Sequence, residues 1–273
     1  MKRGDEMSKK IVFCGGGNMA EGIMRGLLQN GVNHPEDITV NELVPNRCQY
    51  LTKTYGVTAT KDAEASIKEA HMVIIAVNPP QVPTVAKMLE PLVSKKTIIM
   101  SIAAGVTIAA VENIAGCDKK VVRVMPNTLN QSGDGYSAAS FNENCTEQDQ
   151  ALVDEALNAL GQVMHIREEM FNTFTAFSNV GPMWLYKMAE ALIDAGVYIG
   201  FSRTDARNIA IKNMAGVAGV LEITGEHPAV KVDQMTSPGG TTIEGLKVLQ
   251  EEGFSTAVMK SVIASFEKVN AFE

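Results

Sequence analysis

The chain has 273 residues, of which 45% are hydrophobic and 20% charged, with a formal net charge of −7. This composition is ordinary for a globular protein, and the length suits two compact domains better than one small core. The acidic balance, with no block of like charges, argues against a nucleic-acid surface, and no apolar run approaches the roughly 18 residues that a membrane span needs.

Residues 11–14, after Lys10, form an apolar run that stops at Gly15, Gly16 and Gly17, and helical spacing begins at Asn18 and Met19. The expected structure is a buried strand, a tight turn and the first turn of a helix, in the pattern G-x-G-x-x-G/A completed by Ala20. Gly15 makes the turn, Gly17 lets backbone approach a pyrophosphate, and Ala20 lets the helix lie close to the strand. Each glycine would weaken a regular element, so three together need a reason. Free N–H groups and the positive dipole end at Asn18 and Met19 suit a phosphate. These residues read as a dinucleotide cradle, against the alternative of a Gly-rich turn that binds nothing.

A helical face follows over residues 21–30, with Ile23, Leu27 and Leu28 closed by Gly31, and then a second strand over 37–41. Glu42 stands just past that strand, about 20 residues after the glycines, where a carboxylate accepts hydrogen bonds from an adenosine ribose. Asn41, Asn46 and Arg47 offer the opposite reading, a seat for a 2′-phosphate. The residues therefore leave NADH and NADPH both open.

Residues 72–77 are a continuous apolar run, as expected of a parallel strand covered on both faces. The run ends in Val77, Asn78 and Pro79, and the helix after it carries Val82, Val85, Met88 and Leu89. Residues 97–102 and 121–125 repeat the theme, the latter leading into Pro126, Asn127 and Thr128. This alternation predicts an α/β fold with a doubly wound sheet and ligands at the strands' carboxyl ends, here near Gly15, Asn78 and Pro126. A further strand is expected over 135–141, a helix from Thr146 to Leu160 with Asp149 as its capping-box partner, and a last strand over 162–166. The predicted border is Arg167 to Glu169, giving a Rossmann-like dinucleotide-binding domain over 1–167 and a second domain over 168–273.

In the second domain only helical spacing recurs, over 171–195, 204–224 and 255–270. Its middle helices are rich in Ala, Gly, Met and Leu, more apolar surface than about 100 residues can cover alone. A homodimer through these helices is expected; the alternative is a buried helix pair within one subunit.

The stretch Thr236-Ser237-Pro238-Gly239-Gly240-Thr241-Thr242-Ile243-Glu244 is a loop feeding a helix. Its hydroxyls and the free N–H groups at the helix start suit a carboxylate. A capping box from Thr241 to Glu244 is the plainer reading, which leaves Ser-Pro-Gly-Gly unexplained. The four cysteines, Cys14, Cys48, Cys117 and Cys145, are scattered, with no metal spacing, and read as reduced thiols of a cytoplasmic protein. Residues 1–10 have no apolar core behind their charges, so no signal peptide is expected.

Taken together, the motifs resemble those of Δ1-pyrroline-5-carboxylate reductases, which reduce a cyclic imine to proline with NAD(P)H. The resemblance rests on the cradle with Asn18, Met19 and Ala20, on Ser101 to Gly105, on Val122 to Thr128, on Asp194 to Val197, on Gly225 to Pro228, and on the Ser237 to Thr242 stretch. It implies a Rossmann domain followed by a helical dimerisation domain, as a homodimer or a higher homo-oligomer. It also implies that Ser237, Gly239, Gly240, Thr241 and Thr242 hold the substrate carboxylate and ring nitrogen, with Thr242 as the catalytic hydroxyl nearest the imine. Met125, Pro126 and Asn127 would line the nicotinamide side, and no metal is implied.

Three places depart from the family pattern: Asn78 in place of a lysine, Leu129-Asn130 after Asn127-Thr128, and the bulkier Asn179, Val180, Met183 and Trp184 in the first helical turn of the second domain. The last of these is expected to reshape the imine pocket. Two other readings therefore stand beside pyrroline-5-carboxylate reduction: a reductase of a different cyclic imine acid, and a non-catalytic nucleotide-binding regulatory paralogue.

Overall fold

The computed structural model describes residues 9–127, 129 and 135–271. They form two compact units, one running to Thr175 and one from Ala176 to Ala271.

The first unit alternates strands and helices: β1 (Ile11–Cys14), α1 (Asn18–Gln29), β2 (Ile38–Asn41), α2 (Pro45–Tyr55), β3 (Thr58–Thr60), α3 (Glu64–Glu69), β4 (Met72–Ile75), α4 (Val82–Leu89), β5 (Ile98–Ser101), α5 (Ile108–Ala115), β6 (Lys120–Met125), β7 (Gly135–Phe141), α6 (Glu147–Asn158) and β8 (Gly161–His165). The strands make one eight-stranded sheet in the order β3-β2-β1-β4-β5-β6-β7-β8. All neighbours pair in parallel except β6 with β7.

β1 shows why its run is continuously apolar. Ile11 and Phe13 point to one face, where Ile23, Leu27 and Leu157 pack on them, while Val12 and Cys14 point to the other, against Val82, Ala86 and Val111. Side chains alternate along a strand, so a sheet covered by helices on both sides needs apolar residues at every position. The strand order reverses at β1, between β2 and β4, which opens a crevice beyond the carboxyl ends of those strands.

Two local differences from the sequence expectations have physical reasons. β4 stops at Ile75 because Ala76 and Val77 turn away from the ladder beside the glycine turn, although Ala76 N–H still donates to Cys14 O at 2.9 Å. The elements α2, β3 and α3 carry little periodic signal, since Leu51 and Ile67 are the buried residues of α2 and α3. Thr146 caps α6 as its sequence suggests, with Asp149 N–H donating to the threonine hydroxyl and Thr146 N–H to the Asp149 carboxylate.

Past β8 the chain stays in the first unit through α7 (Phe171–Phe174). Arg123 of β6, 5% exposed at its side chain, pairs with Glu168 at 3.1 Å and stacks 4.3 Å from the Phe171 ring centroid. Glu168 also accepts from Ile108 N–H at the start of α5, and Phe171 packs with Met125 and Ala138. These contacts tie residues 168–171 to the sheet.

The helix expected over 171–195 is interrupted. α7 passes into a π turn (Thr175–Asn179), and α8 (Gly181–Tyr198) starts afresh with Pro182 in its first turn, a position where the missing N–H matters little. The second unit continues with α9 (Arg203–Thr224), α10 (Pro228–Met235), α11 (Thr241–Glu251) and α12 (Phe254–Asn270). α8 and α9 approach closely at Gly196, where a Cβ would lie 2.9 Å from the Ala206 Cβ. The Trp184 indole donates to Ser261 Oγ at 2.7 Å, joining α8 to α12. Among the described residues no helix is long and apolar enough to cross a membrane.

Candidate functional site

A cleft of about 570 Å³ opens at the carboxyl ends of β1, β2 and β4. Its floor is Cys14 and the three glycines. One wall is Asn41, Glu42, Leu43 and Val44, and the other runs from Ala76 to Asn78 and on to Gln81, Thr84, Val85 and Met88 of α4.

The turn requires glycine for two separate reasons. Gly15 has φ of +101°, and a Cβ there would sit 2.6 Å from Ala76 O, so neither the conformation nor the space admits a side chain. Above Gly17 a Cβ would meet nothing within 4 Å. Gly17 is also the N-cap of α1 and makes no side-chain capping bond, so the helix start faces an open space. Tight backbone below and free N–H groups above are what a pyrophosphate needs.

Glu42 is fixed from both sides. Its Oε2 accepts from Gly16 N–H and its Oε1 from Val44 N–H, each at 2.9 Å. Arg47 approaches the same glycine from α2, donating from Nε to Gly16 O at 2.6 Å and from Nη2 to Glu21 at 2.5 Å. Glu21 further accepts from the Tyr55 hydroxyl at 2.6 Å and the Tyr50 hydroxyl at 2.9 Å. Burial opposes ionisation of Glu21, but the Tyr55, Arg47 and Tyr50 hydrogen bonds outweigh it and hold the carboxyl below its ordinary range. Burial and the bond to Glu21 push Tyr55 up to about 12. Burial likewise pushes the Cys14 thiol up to about 12, which leaves it inert beneath the turn.

Of the cofactor residues expected from sequence, Gly15, Gly17, Glu42, Val77 and Asn78 line this cleft. Asn18 and Met19 open α1 beside it, and Pro79 follows Asn78 in a short turn where Gln81 N–H donates to Asn78 O at 2.9 Å and the Gln81 side chain accepts from Asn78 N–H at 3.3 Å. Arg47 touches the glycine turn rather than lining the cleft. Met125 ends β6 and Pro126 and Asn127 follow it, on a strand separated from β1 in the sheet by β4 and β5. Asn127 Oδ1 accepts there from Leu129 N–H at 2.9 Å. Thr128 and Asn130 lie outside the described residues. Leu43 and Val44 were not named from sequence, and Met88 was read only as part of the apolar face of α4; their exposure as large apolar side chains is the signal that finds them.

The second stretch lies in the helical unit. Gly239 has φ of +68°, and Gly240 N–H donates to Ser237 O at 3.0 Å, closing a tight turn. A Cβ on Gly240 would fall 2.5 Å from Ser237 Oγ. α11 then begins with Gly240 as N-cap and no side-chain capping bond. The capping box weighed for Thr241 and Glu244 is absent, because Thr241 is already inside the helix. His227 caps α10, its Nδ1 accepting from Ala229 N–H at 3.2 Å.

Comparison with known proteins places this geometry in context. A family model described as pyrroline-5-carboxylate reductase dimerisation matches residues 168–271, and one described as NADP oxidoreductase, coenzyme F420-dependent, matches residues 10–105. The pyrroline-5-carboxylate reductase of Arabidopsis thaliana is 34% identical over 261 residues, spanning 96% of this chain and 94% of that protein. That of Escherichia coli K12 is 34% identical over 262 residues, spanning 96% and 97%. Among solved structures, a pyrroline-5-carboxylate reductase from Coxiella burnetii matches with a TM-score of 0.89 at 28% identity, covering 97% of this chain and 98% of that one. The Plasmodium falciparum pyrroline carboxylate reductase with NADP bound matches with a TM-score of 0.84 at 28% identity, covering 96% and 97%.

Proposed function

Because the chain belongs to the pyrroline-5-carboxylate reductase family and reduces Δ1-pyrroline-5-carboxylate to proline with NAD(P)H, we propose that the glycine turn holds the cofactor and the Ser237 to Thr242 turn holds the imine acid. In this reading residues 1–167 are the cofactor domain, and 168–273 carry the substrate and the homodimer contact.

The observation that carries the substrate assignment is the uncapped start of α11. With Gly240 as N-cap, the N–H groups of Thr241 and Thr242 point out of the helix without a side-chain acceptor, and the dipole there favours an anion by about 0.3–1 kcal/mol. The carboxylate of the imine acid meets these groups and the Ser237 hydroxyl. Gly239 and Gly240 keep side chains out of the way, and the Thr242 hydroxyl reaches the ring nitrogen.

Bound NAD(P)H supplies the hydride from its nicotinamide. The chain's part is to orient and to exclude water. A cyclic iminium already carries the proton on nitrogen, so hydride addition at carbon completes the amine without a side-chain acid. On the cofactor side, Gly15 to Gly17 and the N–H groups of Asn18 and Met19 hold the pyrophosphate, and Leu43 and Val44 offer an apolar wall at the end of the cleft. Met125, Pro126 and Asn127 border the nicotinamide. The four cysteines are free thiols, which supports a reducing, cytoplasmic setting.

Replacing Thr242 by Ala is expected to lower kcat by about 100-fold, the size of loss that a misplacement of about 1 Å in the reacting groups produces. The melting temperature should be unchanged, because Thr242 is exposed on the first turn of α11. Unchanged turnover would remove Thr242 from the role given to it.

A further inference from the structure

We infer that this chain selects NADH over NADPH, with Glu42 as the residue that sets the choice. The inference rests on the assignment of the glycine turn as the cofactor cradle and goes beyond it.

Glu42 directly follows β2 and lines the cleft. Its two backbone hydrogen bonds, to Gly16 N–H and Val44 N–H, fix the carboxylate in the cleft wall rather than leaving it to swing into solvent. An ionised carboxylate has about four lone-pair sites, so capacity remains to accept from two vicinal ribose hydroxyls. A 2′-phosphate at that ribose would instead bring a charge of about −1.5 to −2 against the carboxylate.

No cation in the cleft answers that charge. Among the described residues lining it, Glu42 is the one charged side chain, flanked by the apolar Leu43 and Val44. Arg47, the cation nearest in sequence, is held elsewhere. Its guanidinium spans Gly16 O and Glu21 and lies 5.0 Å from the Tyr50 ring centroid. Glu21, kept ionised below the ordinary carboxylate range, is the reason Arg47 stays behind the turn. The amide of Asn41 is likewise turned away, donating to Lys61 O at 2.9 Å. The wall that meets the adenosine ribose is thus acidic at its fixed point and apolar around it.

Binding of NADH and of NADPH to the homodimer, each followed by the change in nicotinamide fluorescence, tests this without turnover. We expect NADH to bind at least 10-fold more tightly. Glu42→Gln should narrow that ratio, and Leu43→Arg should move it at least 10-fold toward NADPH. Leu43 is 68% exposed, so its replacement leaves the fold intact even where Glu42→Gln disturbs the glycine turn. NADPH binding as tight as NADH, or tighter, in the wild-type protein would overturn the inference while leaving the cradle assignment standing. Failure of the folded protein to bind either nucleotide would overturn both.

Discussion

Glu21 gathers Arg47, Tyr50 and Tyr55 into one polar cluster behind the glycine turn, and the cluster gives that turn its own pH signature. Tyr55, pushed up to about 12 from an ordinary value of 10.0, contributes stability that is complete below about pH 10 and is lost as the pH rises toward 12. Glu21 behaves oppositely: its depressed carboxyl contributes above the ordinary carboxylate range and loses its contribution as the pH falls through the folded value. Tyr55→Phe should therefore cost about 1.5–3 kcal/mol at neutral pH, as expected for a hydrogen bond to a charged group. Denaturant titrations should show the gap between variant and wild type closing above pH 10; a gap that stays constant to pH 12 would contradict the cluster. At this scale the sequence was legible where chemistry is local. Gly15, Gly17 and Glu42, which spacing singles out, do line one cleft. The engagement of Arg47 by Glu21 was not legible, because the two lie on different helices and meet only when α1 and α2 pack on the sheet.

The unit formed by β1, the glycine turn and α1 is the element on which the cofactor reading depends, and its tolerance is narrow. Gly15→Ala places a Cβ at 2.6 Å from Ala76 O in a left-handed backbone conformation. We expect a loss of about 1–3 kcal/mol from strain. Nucleotide binding should fall with it, since the displaced end of β4 is the opposite wall of the cleft. Retained affinity measured by nicotinamide fluorescence would show that the turn does not shape the site. Helices and strands with strong apolar periodicity, such as β1, α4 and β6, were readable within a residue or two. α2 was not, having Leu51 as its buried residue, and α10 escaped the reading as well. The break at Thr175–Asn179 also escaped a reading by periodicity, since a π turn preserves apolar spacing on either side. Trp184, expected from sequence to alter a substrate pocket, has its indole N–H committed to Ser261.

For the whole molecule, the helical unit explains why the protein is a homodimer. From Ala176 to Ala271 its fully buried residues are Ala176, Pro182, Ala206 and Ala210, far too little apolar core for a unit of that length. Large apolar side chains remain on its surface in a single chain, among them Tyr198 at 91% exposure and Ile223 at 88%. Patches of this extent mark an interface resembling a domain core cut in half. Ile223→Glu is expected to shift sedimentation from dimer to monomer and to lower the melting temperature; a stable dimer in the variant would place the contact elsewhere on the unit. The small-residue helices made the dimer legible from sequence. The identity of the faces in contact was not, because Ala, Gly and Met recur around α8 and α9 on every side.

The most direct test of the account is the near-UV absorbance of NADH, and separately of NADPH, after Δ1-pyrroline-5-carboxylate is added to the purified homodimer. Loss of absorbance matched mole for mole by proline, faster with NADH, is the expected result. Unchanged absorbance with a folded protein that binds the nucleotide would contradict the assignment of imine reduction to this chain.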